Sequence, residues 1–305
     1  MAGVINTGTH PKLLWPGVHT VWGQMYAEHP VEYTDLFEVE TSKKAYEEDV
    51  QVTGFGLAPV KGQGAPVEYD GEEQGYVTRY THIAYGLGFI VTHEELMDNL
   101  YKEVATRRAK ANAFSMNQTI ENVAAFLYNN AFNSTYFTMA DGQPLISNAH
   151  VQVSGGTFSN ALTPGADLSE ASLEDIGIQI MQMTSDKGLR VSAMGQSLHI
   201  APQEHYNAER ILKSVLQSDT ANNNINVLKS TGAFPKGVKL NHYFTQPSAW
   251  FVRTNVPNGM RFFWRAKPEF AQDNDFNTKN ALAASYMRFS LGATDPRGIY
   301  GSNGP

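Results

Sequence analysis

The sequence contains no cysteine, and this absence excludes several kinds of protein at once. Disulfide bonds, zinc ribbons, iron–sulfur clusters and thiol nucleophiles all require that residue. Long apolar runs are missing too, since no segment approaches the ~18 consecutive apolar residues of a membrane-spanning helix. The N-terminus lacks the basic and apolar parts of a secretory signal peptide. We therefore expect an intracellular product with no membrane contact.

Basic residues are also scarce. The chain has 23 lysines and arginines against 30 acids, which leaves a formal charge of −7. A surface that binds nucleic acid non-specifically neutralises phosphates with clustered bases, so this balance argues against one. Hydrophobic residues make up 42% of the 305 residues and charged residues 17%, which excludes wholesale disorder. This length fits one large domain or two modest ones.

The N-terminal segment is predicted to be an irregular arm, because Pro11, Pro16 and Pro30 interrupt any helix there. Its two tryptophans, Trp15 and Trp22, favour burial. The arm can bury them on its own domain or on another copy of the chain, and the sequence leaves both possibilities open.

Residues 42–85 have a different character. Six glycines and seven acids lie within residues 42–82, and the flanks, residues 50–55 and 76–85, have the composition of strands. We predict a two-stranded ribbon with a long tip. Such a ribbon has no core of its own and is only marginally stable in water. Either the ribbon is flexible, or a second molecule supplies the missing surface, and the second possibility predicts an oligomer.

The strongest local signal follows: residues 92–131 contain no glycine or proline. Thr92 and Glu95 form a capping box, and apolar residues recur at helical spacing. The pattern predicts one helix about 60 Å long, at 1.5 Å per residue. Two shorter helices that meet near residues 112–115 are the alternative.

The remaining chain indicates a compact α+β lobe and then closing strands. Ser169 begins one helix and Pro202 another, with a strand over residues 197–201 between them. Further strands are predicted over residues 225–228, 238–244, 249–254, 261–266 and 284–291.

Catalytic motifs are weak. The sequence has no complete dinucleotide fingerprint, phosphate loop or nucleophile elbow, so no cofactor and no catalytic residue are expected. His199, Glu204 and His205 could at most serve a metal-assisted hydrolase, which is the alternative from another functional class. General acid–base chemistry needs carboxylates with shifted pKa values in a dry cleft, and the sequence offers no sign of one. We therefore expect neither a metal site nor an enzyme.

Several segments, taken in order, resemble a known family. They are residues 88–99, 148–150, 155–160, 168–174 and 289–300. Together with the order of elements, these segments resemble the major capsid proteins of tailed bacteriophages, which have the Hong Kong 97 capsid fold. Among these, they are most similar to the major head subunits of Mu-type phages.

The resemblance implies an α+β fold in five parts. These are an N-terminal arm (1–41), an extended loop (42–85), a peripheral domain (86–145) with a spine helix (92–131), an axial domain (146–255) and closing strands (256–305). It further implies that the chain is a structural protein, with no enzymatic activity, that assembles with itself into the pentons and hexons of an icosahedral head. An encapsulin-like bacterial compartment shell is the alternative within the same fold.

The resemblance also implies partners and a location. The head would enclose double-stranded DNA without sequence-specific binding, and a separate scaffolding protein, a portal and a cement protein would assist. The protein would assemble in the host bacterial cytoplasm and end in the virion. Lys61 lies in the extended loop, but no matched partner for a crosslink surrounds it. As subunit-interface residues we predict Glu68, Asp70, Glu72, Glu73, Trp15 and Trp22.

Overall fold

The computed structural model describes residues 15–97, 101–217, 224–275 and 277–304. Their fold mixes helices and strands in two lobes, each with its own hydrophobic core. In the described part of the chain, no helix combines the length and the apolar character needed to cross a membrane.

The N-terminal segment is helical where an irregular arm was predicted. Helix α1 spans Trp15–Glu28, with Pro16 in its first turn and Pro30 beyond its end. Proline is tolerated in a first turn because the backbone N–H there has no intrahelical acceptor. A short helix α2 follows over Tyr33–Leu36. Residues 1–14 lie outside the described residues.

The first lobe contains a four-stranded sheet. Its strands are β1 (Glu38–Thr41), β10 (Met260–Asn274), β11 (Ala281–Ala293) and β4 (Ile83–Val91), in that order. Strand β1 pairs parallel to β10, whereas the other neighbours are antiparallel. One face contributes Phe262, Met287 and Phe289 to the first core, together with Ile120 of the long helix that follows β4.

The predicted single helix over residues 92–131 is wrong. The structure has helix α3 (His93–Met97) and helix α4 (Tyr101–Asn129), and residues 98–100 are not described. The guanidinium of Arg108 lies 3.2 Å from the Glu95 carboxylate and donates to the carbonyl of Ile90. In one straight helix, thirteen residues separate their Cα atoms by about 20 Å, beyond the reach of the two side chains. Helix α3 therefore folds back toward α4.

Two other predictions for residues 92–131, the capping box and the alternative break, can be compared with the structure. The Thr92–Glu95 capping box is confirmed, since the Glu95 N–H donates to the Thr92 hydroxyl and the Thr92 N–H to the Glu95 carboxylate. The alternative of a break near residues 112–115 is wrong, because α4 passes through them without interruption.

The second lobe surrounds another four-stranded sheet. Its strands are β12 (Ile299–Asn303), β9 (Ala249–Thr254), β7 (Gly195–Ile200) and β8 (Val238–Leu240), in that order. Three helices pack with it: α5 (Glu170–Met181), α6 (His205–Lys213) and α7 (Val227–Thr231). The predicted cap of α5 is confirmed, because the Ser169 hydroxyl accepts from the Ser172 N–H.

The predicted strand over residues 225–228 is wrong, since α7 begins there. The Asn226 side chain caps this helix by accepting from the Lys229 N–H, and Gly232 ends it with a φ of 64°. A side-chain cap and a left-handed glycine stabilise a short helix that the apolar residues alone do not indicate.

The two lobes are joined by strands and by one buried amide. Strand β9 directs Trp250 and Val252 into the second core and Phe251 into the first. Asn160, fully buried, donates to the carbonyls of Leu145 and Ile299 at 2.9 and 3.1 Å. It follows the two-residue strands β5 (His150–Val151) and β6 (Thr157–Phe158). The predicted domain boundaries at residues 41, 85, 145 and 255 stay a prediction.

Candidate subunit interface

A two-stranded ribbon projects from the first lobe, as the sequence predicted. Strands β2 (Tyr46–Val52) and β3 (Gln74–Thr81) pair antiparallel and belong to no larger sheet of the described chain. Residues on β2 alternate between exposed and half-buried, the period expected when one face of a strand is covered. Arg79 contacts Glu48 across the ribbon and lies over the ring of Tyr46.

The base of the ribbon is fixed to its own chain. The Asp49 carboxylate accepts hydrogen bonds from the Arg261 guanidinium and, at 2.9 Å, from the Thr294 hydroxyl. The Thr294 hydroxyl also lies 2.6 Å from the Tyr80 hydroxyl, and the Tyr80 ring packs against Phe263. Burial raises the pKa of Tyr80, so its hydroxyl stays protonated. These contacts set the direction in which the ribbon leaves the lobe.

The ribbon tip, residues 53–73, contains neither helix nor strand. Asp70 holds its two arms together, because its carboxylate accepts from the backbone N–H groups of Gly56 and Gly71 at 2.7 and 2.8 Å. These two backbone donors lower the pKa of Asp70. Lys187 of the second lobe also reaches it, at 3.5 Å. Asp70 therefore shapes the tip from within its own chain.

The other predicted interface residues fall into two groups. Glu68, Glu72 and Glu73 are exposed on the tip, and within the described residues their carboxylates form no ion pair. Trp22, in contrast, is 5% exposed and lies in the first core, where its indole N–H donates to Asn112. It packs on its own domain, the first of the two possibilities above. The side chain of Trp15 lies outside the described part of the structure.

The sequence reasoning missed an apolar tip surface. Leu57 is 85% exposed, Tyr69 97% and Val60 fully exposed, and Phe55 and Val67 are exposed as well. Glycines, prolines and acids separate these five residues along the chain, so they do not follow the periodicity of a helix or a strand. Their signal was composition alone, because large apolar residues are unusual in a solvent-exposed turn.

The tip surface can act as a contact for another molecule. Full burial of one Val or Leu side chain contributes about 1.5–3 kcal/mol, and the chain itself leaves that contribution unused here. The five residues surround one open cavity of ≈ 580 Å³. Exposed apolar surface of this size is typical of a protein interaction site.

The residues of the alternative hydrolase do not come together as a site. His199 is fully buried in β7, beside the Ser197 hydroxyl at 2.8 Å, and burial lowers its pKa to about 3. Glu204 instead accepts from the Asn207 side chain. In the described part of the chain, no group of three or more His, Asp or Glu residues could hold a metal ion.

Comparisons with known proteins show what this chain is similar to in sequence and in fold. A sequence model of a family described as phage capsid protein matches residues 75–302. The chain is similar to that in the capsid of Myoviridae phage XM1, with a TM-score of 0.54, 11% identity and 100% of both chains covered. No curated protein matches it in sequence.

Two further solved structures are similar. A chain of the procapsid of bacteriophage JBD30 has a TM-score of 0.51 and 14% identity, with 99% of this chain and 77% of that chain covered. The virus-like particle from Pyrococcus furiosus has a TM-score of 0.54 and 8% identity, with 95% and 99% covered. At such identities the likeness shows the fold alone.

Proposed function

The chain belongs to the phage capsid protein family, and from this premise we propose how copies of it build a shell. It has the Hong Kong 97-type capsid fold and the structural role of a major capsid protein in the virion. We propose that copies form the pentons and hexons of an icosahedral head around double-stranded DNA. The observation that carries this proposal is the apolar ribbon tip, which the described residues of its own chain leave exposed.

The partner that covers the tip is, in this proposal, a neighbouring copy. The base of the ribbon is rigidly held by Asp49, Arg261 and Thr294, so the tip is presented in a fixed direction. A rigid presenting element keeps the entropic cost of docking low. Because the same contact repeats around the shell, a modest stabilisation per copy adds up to a large stabilisation of the particle.

The net charge of −7 supports a shell that encloses DNA without adhering to it. A separate scaffolding protein, a portal and a cement protein, with assembly in the host bacterial cytoplasm, belong to the same proposal. The resemblance to Mu-type head subunits stays a prediction. The encapsulin-like shell is not favoured, because the matching family is that of phage capsid proteins.

The test compares two triple variants of the tip. Changing Leu57, Val60 and Tyr69 to serine removes roughly 5–9 kcal/mol of possible apolar burial per copy, at about 1.5–3 kcal/mol for each side chain. We expect a folded chain that no longer forms particles in electron micrographs. The matched control changes Glu68, Glu72 and Glu73 to glutamine, which keeps the apolar surface and removes the acids.

The control separates two kinds of contact. Exposed ion pairs contribute only about 0–1 kcal/mol each, so the glutamine variant is expected to assemble. If the glutamine variant forms no particles while the serine variant forms them, the contact is ionic, as the sequence first suggested. Normal particles from both variants would contradict a role for the tip, and particles filled with protein cargo instead of DNA would contradict a phage head.

A further inference from the structure

A polar cavity lies where α2 and β1 meet the sheet of the second lobe. Its volume is ≈ 480 Å³. Residues of α2 and β1 form one wall, and residues of β7, β9 and the segment that leads into β8 form the other. Every residue that lines the cavity carries a charged, amide or hydroxyl side chain. The cavity therefore suits a polar ligand and not an apolar one.

Three cationic side chains of the second lobe line this cavity: Lys236, Lys239 and Arg253. Lys236 is exposed and forms no ion pair within the described residues, whereas the Lys239 ammonium lies 3.0 Å from the Asp35 carboxylate. Arg253 donates to the Asp35 carbonyl at 2.9 Å, but its other terminal nitrogen is 3.7 Å from the Glu38 carboxylate, beyond hydrogen-bond distance. Its Nε is buried with no partner in the described chain. The guanidinium is therefore held in place but incompletely paired.

The charges around the cavity do not cancel. Asp35 and Glu38 also line it, so three cations against two carboxylates leave one net positive charge on its walls. The buried imidazole of His199 in β7 lies within range of this excess. After burial, the further causes that lower the pKa of His199 are the charges of the same three cations. The electrostatic potential beside this cavity is therefore positive, which favours an anion.

We propose that this cavity binds a small phosphate compound. A phosphate group has several charged acceptor oxygens, which suit two ammonium groups, a guanidinium and the side-chain amides of Gln196 and Asn255. The volume lies in the range of small-molecule sites, roughly 300–1,000 Å³. Duplex DNA is a poorer source of the phosphate, because a cavity of this size does not admit a long and stiff helix. The inference goes beyond the proposed function, and one chain supplies every residue that it uses.

Isothermal titration calorimetry of the full chain with inorganic phosphate tests the site. Chloride keeps the ionic strength constant, so that screening of surface charges stays the same throughout the titration. We expect one phosphate to bind per chain, with a dissociation constant in the millimolar range or below. Combining Lys236→Gln with Lys239→Gln should weaken this binding at least about tenfold. The matched control combines Lys110→Gln with Lys267→Gln, which removes two exposed positive charges of the first lobe and should leave the affinity unchanged.

Two single variants make the test independent of the double variant. Glu38→Gln removes the carboxylate that competes for Arg253 and keeps all three cations, so it should tighten phosphate binding about two- to fivefold. Lys236→Gln removes a side chain that forms no ion pair in the described chain, so we expect it to fold even if the double variant does not. It should weaken phosphate binding. Opposite effects of these two substitutions are expected only if phosphate lies between the two side chains.

The outcomes that overturn the inference are distinct. The absence of phosphate binding at millimolar concentration overturns it, and so does an equal loss of affinity in the cavity variants and the matched control. A duplex oligonucleotide is the second ligand, and it should not distinguish the unchanged chain from Lys236→Gln. If the duplex distinguishes them and inorganic phosphate does not, the cavity binds DNA and not a small phosphate compound. Each of these results leaves the proposed function standing, because particle formation is observed separately in electron micrographs.

Discussion

The contribution of Glu121 to the stability of the unassembled chain should fall as pH rises toward neutrality, because its carboxyl group is buried beside another. Glu121 of α4 is 1% exposed, and one of its oxygens accepts from the Glu32 N–H at 3.0 Å. Its second oxygen is buried with no hydrogen-bond partner in the described chain. Burial, reinforced by the nearby Glu32 carboxylate, raises the pKa of Glu121 from 4.5 to about 7.

The sign follows from proton linkage. Between the unfolded pKa of 4.5 and the folded pKa of about 7, the folded chain binds more protons than the unfolded chain. The contribution of Glu121 to the free energy of unfolding therefore decreases across this window. Buried His199, whose pKa is lowered to about 3, contributes with the opposite sign, so the effect of Glu121 is measured as a difference between variants. At 1.36 kcal/mol per pKa unit, the loss amounts to about 3 kcal/mol and is complete above the folded pKa.

The neighbours of Glu121 come from several elements. The Glu32 carboxylate accepts from the His242 N–H at 2.9 Å and pairs with the His242 ring. Tyr26 of α1, Tyr33 of α2 and Tyr243 lie close enough for the Glu121 charge to raise their pKa values, in each case after burial as the larger cause. These tyrosines stay neutral near neutral pH. Among the groups that surround this site, Glu121 therefore sets the pH window.

The assay is urea denaturation followed by the fluorescence of the buried tryptophans, over pH ~4 to ~8. Glu121→Gln cannot ionise, so the unfolding free energy of the unchanged chain should decrease relative to that of this variant by about 3 kcal/mol across the range. Glu68→Gln removes an exposed carboxyl group and is the control, whose pH profile should match that of the unchanged chain. Identical pH profiles for the unchanged chain and Glu121→Gln would refute the reasoning.

Two further predictions concern single residues of the fold. Ala109→Pro places a proline in the buried face of α4, where it removes a helical hydrogen bond and should cost ~3 kcal/mol or more; unchanged helicity in circular dichroism would contradict the assignment of α4. Asn160→Ala removes the hydrogen-bond donor of the Leu145 and Ile299 carbonyls. Each buried carbonyl left unpaired costs about 1–3 kcal/mol. The unfolding midpoint of this variant should drop well below that of the exposed control Asn122→Ala, and equal midpoints would show that Asn160 does not join the lobes.

Local patterns predicted much of the fold. β propensity predicts the ribbon strands, capping chemistry predicts the Ser169 cap, and an apolar run predicts β9 (Ala249–Thr254). All three signals act within a few residues. The sequence-based predictions were wrong where a contact with a distant residue, or a competing local contact, decides the secondary structure. Residues 92–131 contain no local helix breaker, whereas the contact between Arg108 and Glu95, thirteen residues apart, is one that local patterns do not indicate.

The sequence predicted where the ribbon lies but not which side chains its tip exposes, and the role of the tip as an interface stays a prediction. The position of the ribbon followed from its lack of a core, whereas the choice of acids rested on their number. Asp70 turned out to bond to the backbone of the tip, and Leu57, Val60 and Tyr69 proved to be the most exposed large side chains there. Which side chains a loop presents depends on how its backbone closes, and that closure leaves no periodic pattern in the sequence.

Strand β9 has a mechanical consequence for any shell built from this chain. Its neighbouring residues Trp250 and Phe251 belong to different cores, so one lobe cannot tilt against the other without disturbing both interiors. Close-packed interiors resist such strain. In the proposed head, a change of curvature must therefore occur at the contacts between subunits and not within one subunit.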